Sequence, residues 1–314
     1  MNITARHMIL DRIKASMNNN VSHRHFSLNS NVTMAYVTAH PEIKWDWDYL
    51  SANPGISLQD VISHPEYPWD WKYLSMNPSI RFADVMKYPD KPWNFNYLSI
   101  NPTVSIDIIQ QFSRESWCWY SLSENPGITF EDVKNHPEFN WSWPYLSRNT
   151  NITEKIIMEY FDKWYWPSLS ENKSVSMTMI RDHPDWPWKY MCGNPNVTLE
   201  FMLSKKSIRG LSWRRLSRRI TFKEILQRPE LPWDYESMSA NPTIHLDYVR
   251  DHPYHSWDYD DIAQNPFIND YSDTLKLLTR RHMAAFRIQL YWRKCTTDHV
   301  YAICHKLQLR RVLN

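Results

Sequence analysis

Glycine is scarce in this chain, with four residues in 314 against twenty prolines. No phosphate loop, dinucleotide fingerprint or nucleophile elbow is present, since each needs glycines at fixed spacing where the backbone turns sharply or meets a ligand. The four cysteines, Cys118, Cys192, Cys295 and Cys304, share no CxxC spacing, which argues against a disulfide framework and the usual zinc sets. No apolar run reaches the roughly 18 residues of a membrane span, and the Met8-Ile9-Leu10 run is too short for a signal peptide. These absences lead to the expectation of a soluble intracellular protein with no catalytic residues, no metal and no cofactor.

Aromatic residues are abundant instead. Seventeen tryptophans and a hydrophobic share of 42% describe a folded chain. The stretch Pro68-Trp69-Asp70-Trp71-Lys72-Tyr73-Leu74-Ser75-Met76-Asn77-Pro78 returns about every 24 residues. Its asparagine marks units at Asn29, Asn53, Asn77, Asn101, Asn125, Asn149, Asn172 and Asn194, then an irregular point near Ser217, then Asn241 and Asn265. Aromatic residues stand eight and six positions before most marks, as Trp45 and Trp47, Trp69 and Trp71, or Trp141 and Trp143. The sequons at Asn31, Asn151 and Asn196 fall at equivalent points of the repeat, which accounts for them without glycosylation.

Each unit reads as two short helices. Ser57-x-x-Asp60 resembles a capping box, with Ile56 and Val61 placed as a hydrophobic staple. The same signal returns at Thr33, Ser105, Thr129, Thr153, Ser176, Thr198 and Thr221. His-Pro steps such as His64-Pro65 end this first helix, because the residue before proline disfavours helical geometry. A second proline, such as Pro68, is expected at the first turn of a second helix carrying both aromatics. Helices this short are marginal alone, so stacking between units must stabilise them through aromatic burial, worth several kcal/mol per side chain at about 25 cal/mol per Å². The expected fold is all-α, an α-solenoid of short two-helix repeats with helical terminal caps: residues 1–28 as N-terminal cap, 29–275 as array, 276–314 as basic C-terminal tail or cap.

The periodic Trp-x-Trp-x-x-Leu-Ser-x-Asn-Pro followed by Ile-Ser/Thr and His-Pro, from Asn29 to Asn269, resembles the tryptophan-rich short-repeat proteins that form large paralogous families in giant DNA viruses of amoebae. The resemblance implies a viral repeat protein, in host cytoplasm or virion, and no particular mechanism.

Two regions depart from the pattern. One concentrates Lys205, Lys206, Arg209, Arg214, Arg215, Arg218, Arg219, Lys223 and Arg228 against the single acid Glu224. It reads as a candidate site for an anionic partner, or as a solvated surface balancing the acidic repeats. The other is the tail after Lys276, whose only acid is Asp298. There Ala284 to Lys294 resembles the first half of an IQ motif, presenting Ile288, Gln289 and Arg293 to a calmodulin-like partner; near Asp298 it departs from that motif. The same basic amphipathic helix also reads as a membrane-surface helix or, the preferred reading, as a cap on the end of the array. The His-Pro histidines recur at one repeat position, which points to helix termination, and Cys295, His299, Cys304 and His305 match no zinc spacing.

The expected function is a non-catalytic scaffold for protein–protein interaction with a partner of unknown identity. The alternative is binding of nucleic acid or an acidic ligand through 205–228 and the basic tail; repeated tryptophans stacking on bases would be a further form of it.

Overall fold

The computed structural model describes residues 3–16, 23–183, 188–204 and 211–297, and all regular elements among them are helical. Helix Leu58–Ser63 followed by helix Trp71–Met76 exemplifies the unit. Ser57 Oγ accepts the Asp60 N–H at 3.2 Å while the Asp60 carboxylate accepts the Ser57 N–H at 2.8 Å. The same reciprocal box starts helices Phe130–Asn135 and Phe222–Gln227. Ser105 begins its helix without a side-chain cap.

The second helix starts later than the proline suggests. Pro68 and Trp69 lie in an extended approach, and Asp70 is the N-cap, accepting the N–H groups of Lys72 and Tyr73 at 2.7 and 3.1 Å. Asp46, Asn94, Asp234 and Asp258 cap their helices likewise. A short acceptor side chain satisfies orphan donors that proline leaves open, so the residue between the aromatics sets the boundary. The first tryptophan is thereby free of the helix. Its indole N–H donates back to the carbonyl that ends the first helix: Trp45 to His40 at 3.1 Å, Trp69 to His64 at 2.9 Å, Trp93 to Tyr88 at 2.9 Å and Trp141 to His136 at 2.8 Å. A backbone carbonyl is all that this bond requires, which explains why Tyr88 serves as well as histidine. The second aromatic meets the first tryptophan of the next unit edge-on, as in Trp47–Trp69 and Trp71–Trp93, both at 5.0 Å, and Trp143–Trp164 at 5.1 Å. Sequence periodicity places both rings in the core. In the structure Trp117, Trp164, Trp233 and Trp257 are buried, whereas Trp71 and Trp143 are only part-buried, and Leu74 and Leu146 fill the centre.

The marking asparagine is fully buried and joins consecutive units. Asn77 Nδ2 donates to the carbonyls of Ser51, Asn53 and Ile56 at 2.8, 2.9 and 3.1 Å, and its Oδ1 accepts the Ser79 N–H at 2.8 Å. Beside it Ser51 Oγ donates to the Trp47 carbonyl and accepts the Asp70 N–H. These ladders run from unit to unit. At the irregular unit the mark is occupied by Arg219, whose Nε donates at 2.9 Å to the Cys192 carbonyl, the group an asparagine would engage there. The ladder then continues through Asn241 to Asn265.

It does not stop at Asn265. Asn29 donates to the carbonyls of Ala263 and Asn265 at 2.8 and 3.1 Å, repeating the bonds that Asn53 makes to Ser27 and Asn29. Helix His23–Ser27 packs on helix Tyr259–Gln264 as other second helices pack on their neighbours. The eleven units, marked by ten asparagines and Arg219, therefore form a closed ring. The N-terminal helix Ile3–Ser16 packs on the C-terminal helix Ile268–Thr297 and on Leu246–Asp251, across the seam. Arg12 pairs there with Asp247 and the buried Asp270, both at 3.1 Å.

Closure has a direct test. Asn29→Ala is expected to lower the unfolding free energy by about 2–3 kcal/mol, because it strands buried carbonyls on the last unit. An open array would place Asn29 at a free end, so an unchanged denaturation midpoint would refute the ring.

Candidate functional site

Second helices of most neighbouring units lie side by side, whereas first helices of neighbouring units do not come comparably close. On a closed ring the more crowded layer runs around the smaller circumference, so the second helices form the inner wall. Within each, residues six, three and two before the mark turn toward the first helices and are packed, such as Trp71, Leu74 and Ser75. At 3.6 residues per turn, residues five, four and one before the mark project to the opposite side, into the opening of the ring. These positions differ between units: Lys72, Tyr73 and Met76 in one, Tyr120, Ser121 and Glu124 in another.

Tyrosines and cations make a row along this wall. Arg24 lies 4.6 Å over the Tyr49 ring, Tyr49 meets Tyr73 at 6.2 Å, Tyr73 meets Tyr97 at 5.9 Å, and Lys72 stands 4.7 Å over Tyr97. Tyr120 and Tyr145 follow at 5.4 Å, with Arg148 5.9 Å from the Tyr145 ring and 3.9 Å from Glu124. The exposed fractions of 61% for Tyr120 and 46% for Ile100 show that water enters the opening. Farther round the charge changes. Glu236, Asp260 and Asp261 line the units of Asn241 and Asn265, bordered by His25, 3.2 Å from Asp260, and by Arg218. Burial and then the neighbouring Asp258 push the Asp261 carboxyl up; burial and then Asp70 and Asp46 do the same to Asp48.

The described members of the basic set singled out by sequence have different surroundings. Arg214 and Arg218 are exposed on the second helix of their unit. Arg215 is paired with Glu171 and stands 5.6 Å over Tyr190. Arg219 is spent on the ladder, with its guanidinium pKa lowered by burial. Lys223 and Arg228 belong to the following first helix and its C-cap, where Lys223 borders a cleft with Phe222, Leu226 and Thr243, and Arg228 pairs with Glu230 at 3.0 Å. Lys205, Lys206 and Arg209 lie outside the described residues. Gln289 is exposed on the C-terminal helix; the side chains of Ile288, Arg293 and Cys295, and residues His299, Cys304 and His305, lie outside the described set.

A cleft of about 440 Å³ beside the seam is bordered by Arg12, Asp247, Arg250 and Tyr259. Its charges satisfy one another, Asp247 meeting Arg12 at 3.1 Å and Arg250 at 2.9 Å. Among the described residues no cluster of three or more His, Cys, Asp or Glu is arranged to hold a metal ion, and no helix is long and apolar enough to cross a membrane.

Sequence reading missed the tyrosine row. Its signal was present, since tyrosine stands four before the mark at Tyr49, Tyr73, Tyr97, Tyr145 and Tyr190. It was hidden because Tyr73 also sits four after Trp69 and so counts toward an apolar stripe, which loses its meaning once Trp69 lies off the helix. No family model, curated protein or solved structure matches the chain.

Proposed function

We propose that the chain is a non-catalytic scaffold that binds a protein partner on the inner wall of its ring. One observation carries this reading: the inner wall presents solvent-facing tyrosine and arginine side chains that the caps and the asparagine ladder do not use, among them Tyr120, Tyr145, Arg214 and Arg218. Tyr and Arg supply much of the energy of protein interfaces because they combine large contact area with hydrogen bonding. The same proposal, following the resemblance to viral repeat proteins, puts the partner in an infected cell. The nucleic-acid alternative draws on Arg214 and Arg218, but the wall also carries Glu236, Asp260 and Asp261, which repel phosphate.

The test is a photo-crosslinking amino acid at Tyr120 on the inner wall, compared with one at Met86, exposed on a first helix. In cells making the protein, Tyr120 is expected to give discrete protein adducts and Met86 none. Adducts from Met86 alone, or nucleic-acid adducts from Tyr120, would overturn the reading.

A further inference from the structure

One unit of the ring is completed from both ends of the chain. Helix Ile268–Thr297 begins three residues after the mark Asn265, where a first helix belongs, and helix His23–Ser27 ends two residues before the mark Asn29, where a second helix belongs. Every other pair of neighbouring units is joined twice, by its ladder and by the continuous chain. At this joint only side-chain bonds and packing cross: Asn29 to the carbonyls of Ala263 and Asn265, Asn31 to that of Pro266 at 3.2 Å, and His25 beside Asp260.

Helix Ile3–Ser16 lies over the joint, with Ala5, Ile9, Leu10 and Ile13 fully buried. On the side of Asn29, His7 meets Thr33 at 3.1 Å, Asp11 accepts the Tyr36 hydroxyl at 2.8 Å and Lys14 pairs with Glu42 at 2.6 Å. On the side of Asn265 the helix packs on Ile268–Thr297 and Leu246–Asp251, and its ion pairs there come from Arg12 alone, to Asp247 and Asp270. Asp270 is 4% exposed; it also accepts the Leu246 N–H at 3.1 Å and stands 3.6 Å from His245, both from its own side of the joint. The arginine that pairs with this buried carboxylate thus comes from across the joint.

We infer that the molecule is a split ring: it opens at the composite unit, and the N-terminal helix is the strap that fastens it through Arg12. Proteins open first where the fewest contacts must break. At a junction that the chain crosses, parting two units also unwinds the turn that connects them, whereas here a single interface separates. Opening returns water to Arg12 and Asp270 together, so removing the arginine favours the open form by leaving a buried carboxylate without its countercharge in the closed one. The device does not depend on the scaffold reading. It bears on entry, because a closed ring takes a chain only end-first, and an opened one takes a segment already folded on both sides.

The test is maleimide labelling of the full chain, read at each cysteine by peptide mass spectrometry. Ala263, Ser123 and the native Cys192 each stand two before a mark and are fully buried. Ala263→Cys puts a thiol at the joint, and Ser123→Cys puts one at the same repeat position within the array. The thiol at 263 is expected to react at least about tenfold faster than the thiol at 123 or Cys192. Arg12→Ala should quicken it about tenfold further without changing Cys192, and Asn29→Ala should act in the same way. Equal rates at 263 and 123 would overturn the inference. So would equal quickening of 263 and Cys192 by Arg12→Ala, since the whole ring would then be unfolding. A second measurement leaves the buried joint untouched. Spin labels at Ala39 and Asp251, exposed last residues of first helices on either side of the joint, should show a longer distance in Arg12→Ala, while labels at Lys87 and Asn135, equally many units apart, keep theirs. A distance across the joint that Arg12→Ala leaves unmoved would make the strap a fixed cap and overturn the inference, and crosslinking from Tyr120 would stand regardless.

Discussion

Asn77→Ala is expected to destabilise the protein by about 3–5 kcal/mol, more than most single losses of a polar side chain. The amide sits at zero exposure and donates to the carbonyls of Ser51, Asn53 and Ile56 while accepting the Ser79 N–H. Alanine leaves that cluster without its partner in a site closed to water, where each stranded group costs roughly 1–3 kcal/mol. Only one orientation of the amide satisfies this set, because carbonyls surround the nitrogen and an N–H faces the oxygen. Asn77→Asp is therefore expected to be worse than alanine at neutral pH. It keeps the shape but aims a carboxylate at three carbonyls, so burial and repulsion raise its pKa above the unfolded value. With the folded pKa raised, the penalty is greatest above that pKa and falls as pH drops through it, because the protonated acid regains one donor. Urea denaturation at pH 7 and pH 4.5 measures both effects. A fall of under about 1 kcal/mol for alanine would mean that the ladder accompanies the fold without holding it together.

The paired helices, the Ser/Thr caps and the termination near His-Pro were legible because each rests on local chemistry: one acceptor side chain, one forbidden backbone region, one apolar period. Ring closure was not legible. It depends on a small rotation per unit accumulated over the whole array, and no residue announces that Asn29 will meet Asn265. The indole bonds were hidden for a different reason: they end on the carbonyls of His64, Tyr88 and Phe112, groups that every residue carries. Arg219 shows the converse. Its side chain looked like part of a charged surface, and the surrounding ladder alone reveals that it stands where an asparagine belongs. The inner wall shares this dependence, since which side of a helix faces the opening follows from closure.

Trp117 tests whether the aromatic pair supports the short units as the repeat suggests. Its ring is buried, meets Phe95 edge-on at 5.1 Å, and donates its indole N–H to the Phe112 carbonyl at 3.0 Å. Trp117→Ala is expected to lower stability by about 3–5 kcal/mol, the range for deleting a large buried aromatic. Trp117→Phe keeps much of the packing but loses the N–H bond, so about 1–2 kcal/mol should suffice for it. Trp71 offers the comparison, being part-buried and partly covered by Lys91 at 5.1 Å from its ring; Trp71→Ala should cost less than Trp117→Ala. Chemical denaturation of the three variants separates burial from hydrogen bonding. Equal losses for Trp117→Ala and Trp117→Phe would assign the whole effect to the indole N–H, making the first tryptophan of each unit a backbone cap on the preceding helix. A larger loss for Trp71 than for Trp117 would instead put the mechanical centre of the ring at the second aromatic, where neighbouring second helices meet.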